Sequence, residues 1–226
     1  MTSSFTREGV REYERRRYRG LDQRLVHARE SRLCGKFLAA IDAETGGQLA
    51  AGGLILDLPC GYGRFSSLLG ASSGRVMNSD LSFEMVFRAA ETSGCPGIVA
   101  DAKRGLPFRA GAFLAVFSMR LFHHIHDSAE RRAVLAEFFR VSSSWAIVSY
   151  YRTNALHKAQ RALRRLLKKN PRKIRLIDAV EFRADAASAG WGVVRDVPLF
   201  RGLHAARVAL LRKSGQGRLF DSGRFS

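Results

Sequence analysis

The run Leu54-Ile55-Leu56-Asp57-Leu58-Pro59-Cys60-Gly61-Tyr62-Gly63-Arg64-Phe65 constrains this chain more than any other stretch. It reads as a short apolar strand, a glycine turn and the start of a helix. Glycine has no Cβ and tolerates φ > 0, so such a turn lets a ligand approach bare backbone. A ligand held there lies beyond the carboxyl end of a strand, where open α/β sheets bind their cofactors. The run therefore predicts a parallel α/β sheet with a nucleotide-like molecule at its edge.

The rest of the middle of the chain repeats that rhythm. Strands are expected at Leu54–Leu58, Arg75–Ser79, Gly97–Ala100, Ala112–Ser118 and Trp145–Tyr150. Helices are expected at Phe65–Leu69, Phe83–Ala90 and Ser128–Val141, the last capped by Asp127 or Ser128. Ala112–Ser118 is apolar enough to be buried on both faces. Asp178–Ala189 reads as a further helix, and Gly192–Val197 and Ala205–Leu211 as two antiparallel strands. Strand–helix alternation predicts a doubly wound, mostly parallel, seven-stranded Rossmann-like sheet with an antiparallel strand near the C-terminus.

Three further segments flank or interrupt this pattern. Residues 1–45 form a basic helical arm or cap, whose helical periodicity runs from about Arg19 to Ile41. The domain itself is placed at 46–212, with a basic helical insertion at 153–177 and a loose tail at 213–226. Residues 156–175 hold nine Lys or Arg and no acid, with Leu156, Leu163 and Leu167 on one helical face and Lys158, Arg161 and Arg165 on the other.

Charge narrows the partners. Thirty-eight Lys and Arg against 20 Asp and Glu give a net charge of +18, and the isoelectric point is near 11.0. Such a balance suits polyanions: an anionic membrane face, nucleic acid or a phosphorylated substrate. An arginine-favouring genome explains the same balance without any partner. No run of eighteen apolar residues and no secretory leader is present, and the three cysteines (Cys34, Cys60, Cys95) are too scattered for a disulfide framework. A cytoplasmic protein, with a peripheral position at the inner membrane face as the extension, is the expectation.

Acidic residues recur at the ends of the expected strands. Asp80 ends the second, where a carboxylate can accept two hydrogen bonds from a ribose diol. Asp101 follows the third and can accept one from an adenine amino group. Either could instead cap a turn.

The order Asp57-x-x-Cys60-Gly61-x-Gly63, Asp80, Asp101-Ala102, then Phe117-Ser118-Met119-Arg120-Leu121-Phe122-His123-His124 resembles the class I S-adenosylmethionine-dependent methyltransferases, in particular their small-molecule branch. The resemblance covers roughly residues 50–150. It implies that S-adenosyl-L-methionine is the cofactor, held by Asp57, Pro59, Cys60, Gly61 and Gly63 around the turn, by Asp80 and Leu81 at the ribose, and by Asp101 and Ala102 at the adenine. It places Met119, Arg120 and His123 beside the transferred methyl. Two positions depart from the family pattern. Pro59 replaces the first glycine and so removes an amide donor, and Leu114 stands where an acid is frequent.

Methyl transfer needs mainly the alignment of a nucleophile, a positioning effect worth roughly 7–11 kcal/mol. His123 is the candidate base, and Arg120, His124, Tyr150 and Tyr151 are candidate acceptor contacts. His123, His124 and His126 lack a carboxylate or thiolate partner in the sequence, so no metal site is expected. The expected reaction is O-methylation of a small or lipid-linked acceptor bearing an anionic group. An RNA methyltransferase and a non-catalytic cofactor-binding partner subunit are the alternatives.

Overall fold

The computed structural model describes Gly9 and residues 21–152, 176–200 and 205–215. The basic stretch 156–175 and residues 216–226 of the expected tail lie outside the described residues, as does most of the arm before Leu21.

Seven strands form one sheet: β1 (Ile55–Asp57), β2 (Val76–Asp80), β3 (Gly97–Val99), β4 (Phe113–Ser118), β5 (Ser142–Tyr151), β6 (Trp191–Pro198) and β7 (Ala206–Lys213). Their order is β3-β2-β1-β4-β5-β7-β6. The first five are parallel, and β7 runs antiparallel between β5 and β6. The order reverses between β1 and β4, and the crevice at such a switch point is the usual ligand site of an open α/β sheet. This is the doubly wound, mostly parallel sheet that the alternation of apolar runs predicts.

Among the described residues, five helices cover it: α1 (Leu21–Glu44), α2 (Ser66–Ser73), α3 (Phe83–Ser93), α4 (Ser128–Val141) and α5 (Ala179–Ser188), with a 3-10 turn at Phe122–His124. Side chains alternate along a strand, so neighbouring residues of the central strands feed opposite layers. Ile55, Ala115, Phe117 and Ile147 pack under α1 and α2 with Cys34, Phe37, Leu38, Ile41 and Leu69. Leu56, Val116, Ala146 and Val148 pack under α4 and α5 with Val134, Phe138, Phe182 and Trp191. The central strands are apolar throughout because both of their faces are covered.

Helix ends follow local chemistry. Asp127 caps α4, accepting from the Glu130 amide at 3.1 Å. Ser82 caps α3, and Gly94, in the left-handed region, ends it. α2 runs to Ser73 before Gly74 stops it, and β5 begins three residues before the expected Trp145. In β5, Ser142 Oγ accepts from the Trp145 amide at 3.0 Å and supports that earlier start. Among the described residues, no helix is long and apolar enough to cross a membrane.

Candidate functional site

A cleft of about 800 Å³ opens at the carboxyl ends of β1, β2 and β4. Its inner wall is the turn after β1, where Leu58 and Pro59 are joined by a cis peptide. The turn's amides are largely committed. Those of Cys60 and Gly63 donate to the Ser79 and Cys60 carbonyls at 2.8 and 3.1 Å, and that of Gly61 donates to Asp80 Oδ2 at 3.0 Å. The turn therefore gives the cleft room more than donors.

The two glycines serve different ends. Gly61 has φ 54, and a Cβ built there meets no atom within 4 Å, so its missing side chain leaves open space at the cleft. Gly63 has φ 86, and its Cβ would stand 2.8 Å from Ser66 Oγ and 3.1 Å from Ala89 Cα. Gly63 lets the turn sit against α3 and does not line the cleft.

Asp80 is aimed by backbone. Its Oδ2 accepts from Gly61 and its Oδ1 from the Ser82 amide, both at 3.0 Å. Burial raises its carboxyl above the ordinary range, against the lowering effect of those amides. Each oxygen keeps a lone pair that a diol can use. Asp101 lines the same cleft, and its Oδ1 accepts from the Lys103 amide at 2.9 Å, so it also braces its own turn.

Asp57 sits behind this wall and does not line it. It is 2% exposed, and its Oδ2 has no hydrogen-bond partner. Burial first, and the Asp80 charge second, hold its carboxyl well above the usual range. The Cys60 thiol is pushed up by burial and then by the charges of Asp57 and Asp80, so it stays protonated and is no nucleophile.

On the other side of β1 two arginines meet one acid. Arg64 follows the glycine turn, and Arg120 follows β4. Both pair with Glu30 of α1, a carboxylate 2% exposed. Arg120 reaches it at 3.1 and 3.2 Å. Arg64 Nε also donates to His27 Nδ1 at 3.2 Å. Burial, then the charges of Arg64 and Arg120, bring the His27 imidazole down to about 4, so it is neutral at pH 7. Arg120 adopts φ 65, rare for a residue with a Cβ, while its amide donates to Ser149 Oγ at 2.7 Å. Such outliers gather where function fixes a side chain.

His123 and His124 line the cleft on the 3-10 turn, with ring centroids 3.9 Å apart. The His123 ring also meets Tyr151 edge-on at 4.9 Å. Tyr150 points elsewhere. Strand alternation turns it to the opposite layer, where it stacks on Phe182 at 4.1 Å and donates its hydroxyl to Asp196 Oδ2 at 2.7 Å. It is fully buried and does not reach the acceptor side, contrary to the expectation from its place at a strand end.

The cleft thus gathers Pro59, Cys60, Gly61, Asp80, Leu81, Asp101, Ala102, Met119, Arg120, His123 and His124. It leaves Asp57, Gly63, Tyr150 and Tyr151 off its surface. Sequence reasoning missed Arg64, whose adjacency to Gly63 was signal enough, and Glu30, for which no local signal exists.

Residues 56–148 match the family model described as a methyltransferase domain. Over 96 residues the chain is 31% identical to a malonyl-[acyl-carrier protein] O-methyltransferase of Hamiltonella defensa subsp. Acyrthosiphon pisum (strain 5AT). That match covers 42% of this chain, and the chain spans only 36% of that relative's length. Among solved structures, magnesium protoporphyrin IX methyltransferase from Synechocystis PCC 6803 with bound S-adenosylhomocysteine superposes with a TM-score of 0.71 at 16% identity, covering 92% of this chain and 100% of that one. A methyltransferase from Aquifex aeolicus, dependent on S-adenosylmethionine, gives 0.62 at 16% identity over 92% and 99%.

Proposed function

Because residues 56–148 are a domain of the class I S-adenosylmethionine-dependent methyltransferases, a family that uses that cofactor, we propose that this protein transfers a methyl group to an oxygen of a small or lipid-linked acceptor. The cleft at the β1/β4 switch point, with Asp80 aimed into place by two amides, carries the reading.

The residues present suit the cofactor. Open space at Gly61 leaves room for its amino-acid arm, Asp80 offers lone pairs to a ribose diol, and Asp101 stands one strand further out for the adenine. Asp57, with a buried oxygen lacking a partner, lies close enough to Asp80 for their charges to couple. When bound, the cofactor supplies a methyl on a sulfonium, already a strong electrophile.

The chain's own work is then alignment and proton handling. Met119 and Leu121 close the cleft with apolar surface beside the acceptor. Arg120, fixed by Glu30 and by Ser149, faces an anionic group of the acceptor. A hydroxyl acceptor must lose its proton, and His123, half-buried against Tyr151, is the group in the cleft suited to take it. An oxygen acceptor is also what the malonyl-[acyl-carrier protein] O-methyltransferase relative supports, as its name states.

Titration calorimetry with S-adenosylhomocysteine, followed by incubation of the protein with methyl-labelled cofactor and fractionated cell extract, tests this. Saturable binding and label in small metabolites or lipid are expected. Label confined to RNA or protein overturns the acceptor class, and no binding overturns the cofactor site.

A further inference from the structure

The exposed apolar side chains of this protein are gathered at one end. Among the described residues the large ones are Leu25, Leu81, Phe83, Val99 and Val180, between 45% and 74% exposed. Val99 is the last residue of β3, Leu81 follows the last residue of β2, and Phe83 opens α3 two residues later. Val180 is the second residue of α5, just after Ile177, whose amide donates to the Tyr151 carbonyl at the end of β5 at 2.7 Å. Leu25 lies on α1 ahead of Glu30, which meets Arg120 beyond β4. Glu44, at the other end of that helix, meets Arg212, which stands opposite Trp145 near the start of β5. α1 therefore points its N-terminal turns past the carboxyl ends of the strands. All five side chains stand at the end of the sheet where the cleft opens, and only Leu81 among them lines it. Scattered singly, exposed apolar residues need no explanation; gathered on one rim, they mark a contact.

Positive charge joins them. Arg29 on α1 and Arg152 after β5 are exposed at this end, and the exposed acids beside α4 and α5, Asp127 and Asp178, serve as helix caps. Arg152 and Ile177 pair here, so the stretch between them, in which 156–175 hold nine Lys or Arg and no acid, leaves and rejoins the sheet at the same rim. A second copy of the chain, carrying the same +18, would be repelled from such a face. Apolar side chains beside cations suit an anionic lipid surface, where the first enter the acyl boundary and the second meet the headgroup phosphates. Single-stranded nucleic acid would ask for aromatic stacking faces, and of the five side chains only Phe83 has one.

We propose that the carboxyl-end rim of the sheet is a docking face for an anionic lipid bilayer, which sets the mouth of the cleft against the lipids. This deepens the methyltransferase reading by naming the surface from which an amphiphilic acceptor reaches the cleft, and it rests on that reading for that consequence alone, because the docking itself needs neither cofactor nor turnover.

Flotation of the full chain with vesicles of phosphatidylcholine alone, and of phosphatidylcholine mixed with phosphatidylglycerol, tests it. Binding is expected to the mixed vesicles only, and it should weaken as salt rises. Leu25→Gln, Phe83→Gln and Val180→Gln combined leave the charge unchanged and remove apolar surface that folding does not bury. The melting temperature should therefore stay at the wild-type value while partitioning to the mixed vesicles falls roughly tenfold to hundredfold. Should the triple variant melt low, Leu25→Gln and Val180→Gln taken singly decide, each with an expected loss of roughly twofold to tenfold. Equal binding to both vesicle types, or equal partitioning of wild type and variants, overturns the docking face. Tight binding of tRNA with no vesicle binding also overturns it and assigns the rim to nucleic acid. Titration of the same preparation with S-adenosylhomocysteine tests the cofactor site separately: saturable binding there without vesicle binding would sink the docking face alone.

Discussion

The two ends of the sheet differ in how their most buried charges are held. Beyond β5, Arg131, Asp185 and Asp196 are closed into networks. Arg131, fully buried on α4, donates to Asp185 Oδ2 at 2.7 Å, to Glu181 and to the His126 carbonyl at 3.2 Å. Asp185 also holds Ser128 Oγ at 2.5 Å. Asp196 on β6 is satisfied by Arg207 and Tyr150, both at 2.7 Å. Around β1 and β4, Asp57 Oδ2 and Arg120 Nε are buried without a hydrogen-bond partner, near the carboxyl ends of two paired strands where the cleft opens. Closed networks hold helices to a sheet. A buried polar atom left unpaired is a cost that a ligand at the cleft can relieve.

The sharpest way to break the contrast is Arg131→Met. It strands the buried Asp185 carboxylate and is expected to cost about 3–5 kcal/mol of folding stability in urea denaturation, with S-adenosylhomocysteine affinity unchanged in the protein that remains folded. A loss below ~1 kcal/mol would mean that the network is dispensable.

At the other end, Asp80→Ala should do the reverse. Removing a charged acceptor of two ribose hydroxyls is expected to weaken S-adenosylhomocysteine about a hundredfold or more, with little change in melting temperature. Unchanged affinity by calorimetry would remove the diol role from Asp80.

A smaller effect sharpens the reading of Asp57. Its carboxyl, raised by burial and by Asp80, keeps a proton that the unfolded chain gives up near 3.8. Stability of the unliganded protein should therefore fall as pH rises from about 4 through the raised value, and stay lower above it. Asp57→Asn should flatten that fall and melt higher than wild type at pH 7. Parallel stability curves for the two proteins would show that the strain is absent.

The smallest effect has the opposite sign. His27 titrates at 6.5 unfolded and about 4 folded, so the unfolded state takes the proton first on acidification. That stability is lost between about pH 6.5 and 4, and His27→Asn should lose less over the same window. A superimposable acid limb in the variant would show that burial and the neighbouring arginines do not hold this imidazole neutral.

Much of this was legible along the chain. Leu54–Leu58 and Ala112–Ser118 are apolar without alternation, which only a strand covered on both faces explains, and they became the central pair β1 and β4. Asp80 and Asp101 were legible because a strand's carboxyl end fixes where the next residue must lie. Two residues, Tyr150 and Gly63, lie off the cleft surface, each for its own reason. Tyr150 and Tyr151 are neighbours in sequence, but the pleat sends them to opposite faces, and which face meets the cleft depends on the register with β4 and β7. Gly63 looked like a ligand contact, but its lost Cβ makes room for Ala89 of α3.

By itself, then, the sequence determined the sheet, its switch point and the acids at its edge, because periodicity and strand-end chemistry act over a few residues. The tertiary structure alone decided that Glu30, ninety positions before Arg120, would hold it and Arg64 at the cleft. An acid in a helix that also carries Asp22, Asp42 and Glu44 has no local mark that singles out its partners. Its role exists only once α1 docks across the sheet, because a charge shut away from water is stable only beside the opposite charges that docking brings to it.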